Sequence, residues 1–118
     1  EIIARSLKKA ADTGLQIHLS EVDIIFNIHD DSKGGGIQLY DHLTEEMKFA
    51  QAHKYADLVN MYIDIVPKDQ QYGITFWGFN DRDTWIRRFF KMNDWPTIYD
   101  DNLLPKPAFF GFLNALKR

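Results

Sequence analysis

Two acidic residues at the end of an apolar run offer the residue types best suited to chemistry in this chain of 118 residues. Glu21 and Asp23 stand two positions apart and close an alternating apolar segment that begins at Leu15. Residues two apart in an extended strand point to the same side, so the two carboxylates would share a face. Carboxylates coupled in this way can be tuned for acid, base or nucleophile work. The alternative is a strand that simply ends in polar loop residues.

The composition narrows the classes of function. The formal net charge is -3, without a dense run of Lys or Arg, so neither nucleic acid nor an anionic membrane is expected as a partner. No apolar run reaches the length of a membrane span, and no signal-peptide pattern opens the chain. The chain has no cysteine, which excludes disulfides and thiolate metal sites. The histidines lack metal-ligand spacing, so neither a metal nor another cofactor is predicted.

Aromatic residues are unusually frequent, with three Trp, five Tyr and nine Phe. Most of them must lie in a core, because aromatic side chains carry a large apolar area. A few lie in polar, glycine-containing loops, where packing in a core is a weaker explanation.

Hydrophobic periodicity predicts alternating helices and strands. Residues 2–13 are typical of an amphipathic helix that ends at Gly14, and the absence of an N-cap signal indicates a cut rather than a natural start. A strand is predicted over 15–19. The other predicted elements are a polar loop with a flexible glycine triplet (27–42), a long helix (44–65), a strand (73–78), an aromatic helix (85–92), an irregular segment (93–105) and a short helix from Pro107.

The long helix should begin at Thr44, an N-cap residue followed by two acids in the first turn. Its apolar residues recur every three or four positions and predict one buried stripe, formed by Phe49, Ala52, Ala56, Val59, Ile63 and Val66. Alternating helices and strands favour parallel strands joined by right-handed crossovers. Two parallel strands cannot close a sheet, so the chain is expected to be one slice of a larger α/β assembly.

Three blocks of sequence, in the right order, resemble the C-terminal quarter of the family 10 glycoside hydrolases, which are (β/α)8-barrel endo-1,4-β-xylanases. The segment IHLSEVDI at 17–24 is similar to the family's strand-seven motif of Thr-Glu-Leu-Asp type. TFWGFNDRDTW at 75–85 resembles strand eight with its Trp-Gly…Asp…Ser-Trp pattern. YDDNLLPKPAF at 99–109 resembles the closing Phe-Asp…Pro-Lys-Pro-Ala-Tyr segment. The departures are conservative and fall at Ser20, Val22 and Thr84.

The resemblance implies roles for five residues. Glu21 would be the catalytic nucleophile at the end of barrel strand seven, where the active sites of such barrels gather. Asp23 would support it through a histidine that strand six contributes from outside this chain. Trp77 and Trp85 would lie around the glycone subsites, because a flat aromatic face covers the axial C–H patches of a sugar. Arg82 is a further candidate for substrate contact.

The resemblance also implies a fold. The chain would be an α/β segment at the C-terminus of a TIM (β/α)8 barrel, with the end of helix six, strand seven, helix seven, strand eight and helix eight, incomplete as a barrel. Residues 1–118 would then be the C-terminal fragment of a single glycoside hydrolase catalytic domain. The family's acid/base glutamate, at the end of strand four, lies outside the chain, so the fragment alone is expected to be inactive.

The implied ligand is xylan or a xylo-oligosaccharide, and the fragment is expected to pair with the rest of the barrel or with itself. The parent enzyme is expected to be secreted, periplasmic or attached to the cell surface. Two other interpretations remain open: a non-catalytic carbohydrate-binding or self-associating structural fragment, and an unrelated small α/β domain whose acids are surface residues. On pattern alone, Asp81 should be structural and His18 should be a hydrogen-bonded core histidine.

Overall fold

The computed structural model describes residues 1–30 and 33–118, so residues 31 and 32 of the predicted polar loop lie outside it. The helices and strands predicted from the sequence occur in the predicted order, with two additional short strands in the segment predicted as a loop. The elements are α1 (Ile2–Ala11), β1 (Ile17–Val22), β2 (Ile28–His29), β3 (Gly36–Ile37), α2 (Glu45–Ile65), β4 (Gln71–Phe76), α3 (Trp85–Phe90) and α4 (Pro107–Leu116). The α/β class predicted from the alternation is confirmed.

Strands β1 and β4 pair in parallel, and α2 connects them. Val22 at the end of β1 lies opposite Phe76 at the end of β4. Both strands therefore deliver the residues that follow them to one edge of the pair, which is where ligands bind in parallel α/β sheets. The short strands β2 and β3 form a separate antiparallel ribbon in the loop after β1.

Two apolar clusters hold the helices against the strand pair. The first joins α1 to α2 through Leu7, Tyr62 and Val66, and it packs against Ile17 and Ile74 of the strands. The second lies nearer the C-terminal edge of the strands, where the buried residues Tyr55, Ile98 and Ala108 meet the partly buried Val22, Ile24, Phe76, Tyr99, Phe109 and Phe112. Helix α4 packs on α2 so closely that a Cβ on Gly111 would lie 2.5 Å from the carbonyl oxygen of Ala52.

Helix α2 confirms the predicted apolar stripe only in part, since Val59 and Val66 are buried as predicted. Its buried residues are Gln51, Tyr55, Val59 and Tyr62, whereas Phe49 of the predicted stripe is exposed. Their donor groups are paired with backbone carbonyls: the Gln51 amide donates to Trp95 O at 2.6 Å, and the Tyr62 hydroxyl donates to Ile17 O at 2.6 Å. The amide oxygen of Gln51 is buried without a hydrogen-bond partner among the described residues. A buried polar group costs little once it is hydrogen-bonded, so amphipathic side chains can displace the smaller apolar ones.

The glycine triplet predicted to be flexible makes specific backbone contacts, and its flexibility stays a prediction. The backbone N–H of Gly35 donates to the carbonyl of Phe90 at 2.9 Å, at the end of α3. A Cβ on Gly36 would lie 2.0 Å from the carbonyl oxygen of Ile28 on the facing strand. Gly36 therefore permits a close approach of backbone to backbone.

Candidate active site

Four of the five residues singled out from the sequence line one cleft at the C-terminal edge of the strand pair. The cleft has a volume of about 350 Å³ and is lined by Glu21, Asp23, Trp77 and Trp85. Glu21 lies near the end of β1, Asp23 directly follows that strand, Trp77 directly follows β4, and Trp85 begins α3. The parallel pairing is what brings these separate segments together.

Glu21 lies at a β-bulge. Three residue steps of β1 (Leu19–Val22) match two steps of β4 (Ile74–Phe76), so the alternation of faces is broken and Ser20 and Glu21 are both exposed. Glu21 takes a left-handed backbone conformation with φ of 57°, which costs a residue with a side chain about 1–2 kcal/mol. Conformations of this kind cluster where a fold must aim a functional side chain. The bulge gives Glu21 an orientation that regular alternation would not.

Asp23 is half-buried and holds a hydrogen bond with the indole of Trp85. The Nε1–H of Trp85 donates to Oδ2 of Asp23 at 3.1 Å. Burial raises the pKa of Asp23 to about 6, and the nearby charges of Asp81, Asp94 and Glu21 act in the same direction, while the Trp85 hydrogen bond opposes them. The loss of hydration therefore outweighs the hydrogen bond from Trp85 in setting the pKa of this carboxyl group.

Both tryptophans of the cleft present their rings to solvent. Trp77 is 59% exposed and Trp85 is 37% exposed, so neither is a core residue of this chain. The ring of Trp85 rests against Phe90, with centroids 5.5 Å apart. Thr84 sets the position of Trp85 by capping α3, since its hydroxyl accepts from Ile86 N–H at 3.3 Å. Two open aromatic faces beside two carboxyl groups suit a ligand with both apolar and hydroxyl surfaces.

Arg82, the fifth residue, does not line the cleft. Its guanidinium lies 3.3 Å from Oδ2 of the neighbouring Asp83, and both side chains are exposed. Its role in substrate contact stays a prediction.

A buried ion pair stabilises the loop that carries the tryptophans. Nζ of Lys106 lies 2.8 Å from Oδ2 of Asp81 and also donates to the carbonyls of Trp95 and Thr97. Oδ1 of Asp81 accepts from the backbone N–H and the hydroxyl of Thr97 at 2.9 and 2.8 Å. Burial raises the pKa of Asp81 and lowers that of Lys106, while each charge counteracts the shift of the other. The structural role expected of Asp81 is therefore observed, with Lys106 as a partner that the sequence did not indicate.

A second buried network anchors the loop after β1. Asp94 is fully buried and accepts hydrogen bonds from the backbone N–H groups of Phe26 and Asn27, both at 2.9 Å, and from the ring of His29 at 2.9 Å. The amide oxygen of Asn27 accepts from Tyr40 N–H at 2.8 Å. Sequence patterns missed these residues because isolated Asn, His and Asp in a polar loop carry no periodic signal.

His18 is hydrogen-bonded as predicted, but it does not lie in a core. Its Nε2 lies 2.7 Å from the hydroxyl of Thr75, and its ring centroid lies 4.8 Å from that of Tyr72. All three residues are exposed. The expectation of a core position was wrong because alternation places His18 on the exposed side of β1, between the half-buried Ile17 and Leu19.

Residues 1–30 and 33–118 contain neither a metal-site cluster nor a membrane-spanning helix. No three His, Cys, Asp or Glu side chains in this part of the chain come together as a metal site. None of its helices combines the length and the apolar character that a bilayer span requires.

Comparison with known proteins identifies the family. The glycosyl hydrolase family 10 profile matches residues 1–115. The chain is 35% identical to the endo-β-1,4-xylanase Xyn10C of Cellvibrio japonicus over 97% of its own length and 20% of that protein. It is 30% identical to an endo-1,4-β-xylanase of Geobacillus stearothermophilus, over 95% of this chain and 33% of the relative. The chain thus spans a fifth to a third of these relatives.

Solved structures agree in fold. A mutant of xylanase 10C from Cellvibrio japonicus, in complex with xylopentaose, superposes with a TM-score of 0.83 and 35% identity, over 97% of this chain and 24% of that one. A thermostable mutant of xylanase Xyn10A from the same organism gives a TM-score of 0.82 and 30% identity, over 98% and 35% of the two chains. With the matched profile and the geometry of the cleft, these similarities show that the chain belongs to glycosyl hydrolase family 10.

Proposed function

We propose that this chain forms part of a retaining endo-1,4-β-xylanase that hydrolyses internal bonds of xylan. In this assignment α1 is the end of barrel helix six, β1 is strand seven, α2 is helix seven, β4 is strand eight and α4 is helix eight. The observation that carries the proposal is the cleft itself, which joins the exposed carboxylate of Glu21 to two open indole faces.

Glu21 is the nucleophile in this proposal. One of its carboxylate oxygens forms a bond to the anomeric carbon as the glycosidic bond breaks, and water later hydrolyses the glycosyl-enzyme ester. A second carboxyl group must protonate the departing oxygen, from about 5–5.5 Å away. That acid/base residue belongs to polypeptide outside this chain, so the chain supplies one half of the catalytic pair.

Trp77 and Trp85 bind the sugar in this proposal. Xylose rings carry axial C–H groups on their faces and hydroxyls on their edges. An indole ring covers the axial C–H groups and leaves the hydroxyls free for hydrogen bonds. The similarity to a xylanase in complex with xylopentaose supports a xylo-oligosaccharide as the ligand. Arg82 remains a candidate for contact outside the cleft.

The direct test is Glu21→Gln in the enzyme that contains this segment, assayed on xylan. The amide keeps the shape of the side chain and removes its nucleophilic oxygen, so turnover should fall by several orders of magnitude. Glu46→Gln, on the exposed start of α2, is the matched control and should keep normal turnover. Near-normal activity of Glu21→Gln would favour the interpretation of a domain with surface acids.

We further propose that the exposed surfaces of this chain pair with the rest of the barrel. The accessible surface is 7611 Å², whereas a compact protein of 13.8 kDa exposes about 6,600 Å². The radius of gyration is 15.0 Å, against about 13.5 Å for a compact domain of this length. Ile3, Leu15 and Tyr72 are among the large apolar residues that this surface exposes.

Size-exclusion chromatography of the 118-residue chain tests the pairing. Exposed strand edges and apolar surface should produce association, and the chain alone should release no reducing sugar from xylan. A stable monomer with a cooperative melt would count against the pairing, and robust activity would refute the assignment of half a catalytic site. Because xylan is an extracellular polymer, the parent enzyme is proposed to be secreted, periplasmic or attached to the cell surface.

A further inference from the structure

Trp85 makes a polar contact that a sugar-stacking residue does not need. Its Nε1–H donates to Oδ2 of Asp23 at 3.1 Å, while its ring lines the cleft and is 37% exposed. The capping hydroxyl of Thr84 and the ring of Phe90 set the position of the indole. The donor therefore approaches Asp23 from a fixed direction.

The surroundings of Asp23 are otherwise unfavourable to a carboxylate. Three acids face it from three segments: Glu21 on β1, Asp81 in the loop before α3, and Asp94 after α3. On the α2 side lies the neutral ring of Tyr55, and the groove beyond is bordered by Lys54 and Asp57. In the described residues, Trp85 is the side chain that donates a hydrogen bond to this carboxyl group.

We infer that Trp85 is a positioning residue: its indole N–H holds the Asp23 carboxylate beside Glu21, in addition to the contact that its ring makes with the cleft. The link to Glu21 rests on the proposed function, whereas the hydrogen bond to Asp23 does not. A donor that is itself held in place favours one orientation of the carboxylate it binds, and an oriented Asp23 limits where the neighbouring carboxylate can lie.

Trp85→Phe separates the two contributions of this residue. Phenylalanine keeps a flat ring against the cleft and removes the N–H donor. A hydrogen bond to the charged form of an acid favours that form, so its loss should raise the pKa of Asp23. Trp77→Phe is the matched control, because Trp77 lines the same cleft and Asp23 accepts its hydrogen bond from Trp85.

The experiment is an NMR titration of the 118-residue chain from about pH 4 to about pH 8. The three tryptophans give three indole N–H signals, which single substitutions assign. The Trp85 signal should move with a midpoint near 6, the pKa of Asp23, and Asp23→Asn should abolish that movement. Trp85→Phe should raise the Asp23 pKa by about 1, the size expected when a hydrogen bond to an ionised group is lost. Trp77→Phe should leave it unchanged.

The inference would be overturned if the chemical shift of the Trp85 indole N–H did not change as Asp23 titrates. It would also be overturned if the pKa of Asp23 were equal in Trp85→Phe and Trp77→Phe. If Trp85→Phe fails to fold, the pH dependence of the Trp85 signal in the unsubstituted chain is compared with that in Asp23→Asn, and this comparison tests the hydrogen bond by itself. In the enzyme that contains this segment, Trp85→Phe should move the acidic limb of the kcat/KM profile to higher pH, and an unmoved limb would refute the positioning role. Failure of the proposed function would appear separately, as an active Glu21→Gln enzyme.

Discussion

Replacing Asp23 by Asn should stabilise this chain at neutral pH and leave its stability nearly unchanged in acid. Burial raises the pKa of Asp23 from 3.8 to about 6, so the folded chain binds this proton more tightly than the unfolded chain does. The free energy of unfolding therefore falls as the pH rises from about 4 to about 6. At pH 7 the full cost of holding the ionised Asp23 in the folded chain is present. Asparagine resembles the protonated acid and can still accept the hydrogen bond from Trp85.

The size of the gain follows from the shift and from the exposure. A rise from 3.8 to about 6 corresponds to about 3 kcal/mol at most, at about 1.4 kcal/mol for each pKa unit. Asp23 is only half-buried, and solvent screening reduces such interactions strongly. We therefore expect Asp23→Asn to raise the free energy of unfolding by about 1 kcal/mol at pH 7.

Urea unfolding at about pH 4 and about pH 7, followed by tryptophan fluorescence, measures this difference. Asp41→Asn, which removes one negative charge from an exposed position, is the control and should change stability by less than about 0.5 kcal/mol. Asp23→Asn could instead lose stability at pH 7, or gain equally at both pH values. Either result would show that ionisation of Asp23 does not lower the free energy of unfolding.

Three further predictions concern the same framework. Lys106→Met leaves the buried Asp81 without its counter-ion and should lower the free energy of unfolding by about 3–5 kcal/mol, with a smaller loss when Asp81→Asn is combined with it. Glu21→Gly should melt at a higher temperature than Glu21→Ala, by about 1 kcal/mol in stability, since only glycine tolerates the φ of 57° without strain. Gly36→Ala should speed amide exchange in the β2–β3 ribbon because its Cβ would meet a backbone oxygen, whereas Gly78→Ala, with open space around it, should not.

The arrangement of helices and strands was predictable because it depends on local signals. Thr44 caps α2 as its position before two acids predicted, since its hydroxyl accepts from Met47 N–H at 3.2 Å. Pro107 opens α4 as expected of a residue without a backbone N–H. The buried face of α2 was predictable only in part from apolar spacing, because Gln51 and Tyr55 are buried only where distant carbonyls accept their hydrogen bonds.

Most residues that line the cleft could be predicted from the sequence, but the way in which the fold brings them together could not. Alternation predicted that Glu21 and Asp23 lie on one side of a strand, and both residues line the cleft. The β-bulge at Glu21 was not predicted, because no glycine or proline marks its position in the sequence. Lys106 lies between two prolines, so the sequence indicates an exposed loop residue. Its burial depends on the carbonyls of Trp95 and Thr97 and on Asp81, which only the folded chain brings together.

The most direct test of the central claim is to trap the nucleophile. The enzyme that contains this segment would be treated with a xylobioside that carries fluorine at C2 of the reacting sugar and an activated leaving group. Fluorine slows hydrolysis of the glycosyl-enzyme ester, so the label should accumulate on the attacking carboxylate. Trypsin should release residues 10–33 as one peptide, and fragmentation by mass spectrometry should place the added xylobiosyl mass on Glu21. A label on any other carboxylate, or an active enzyme that forms no label, would contradict the assignment.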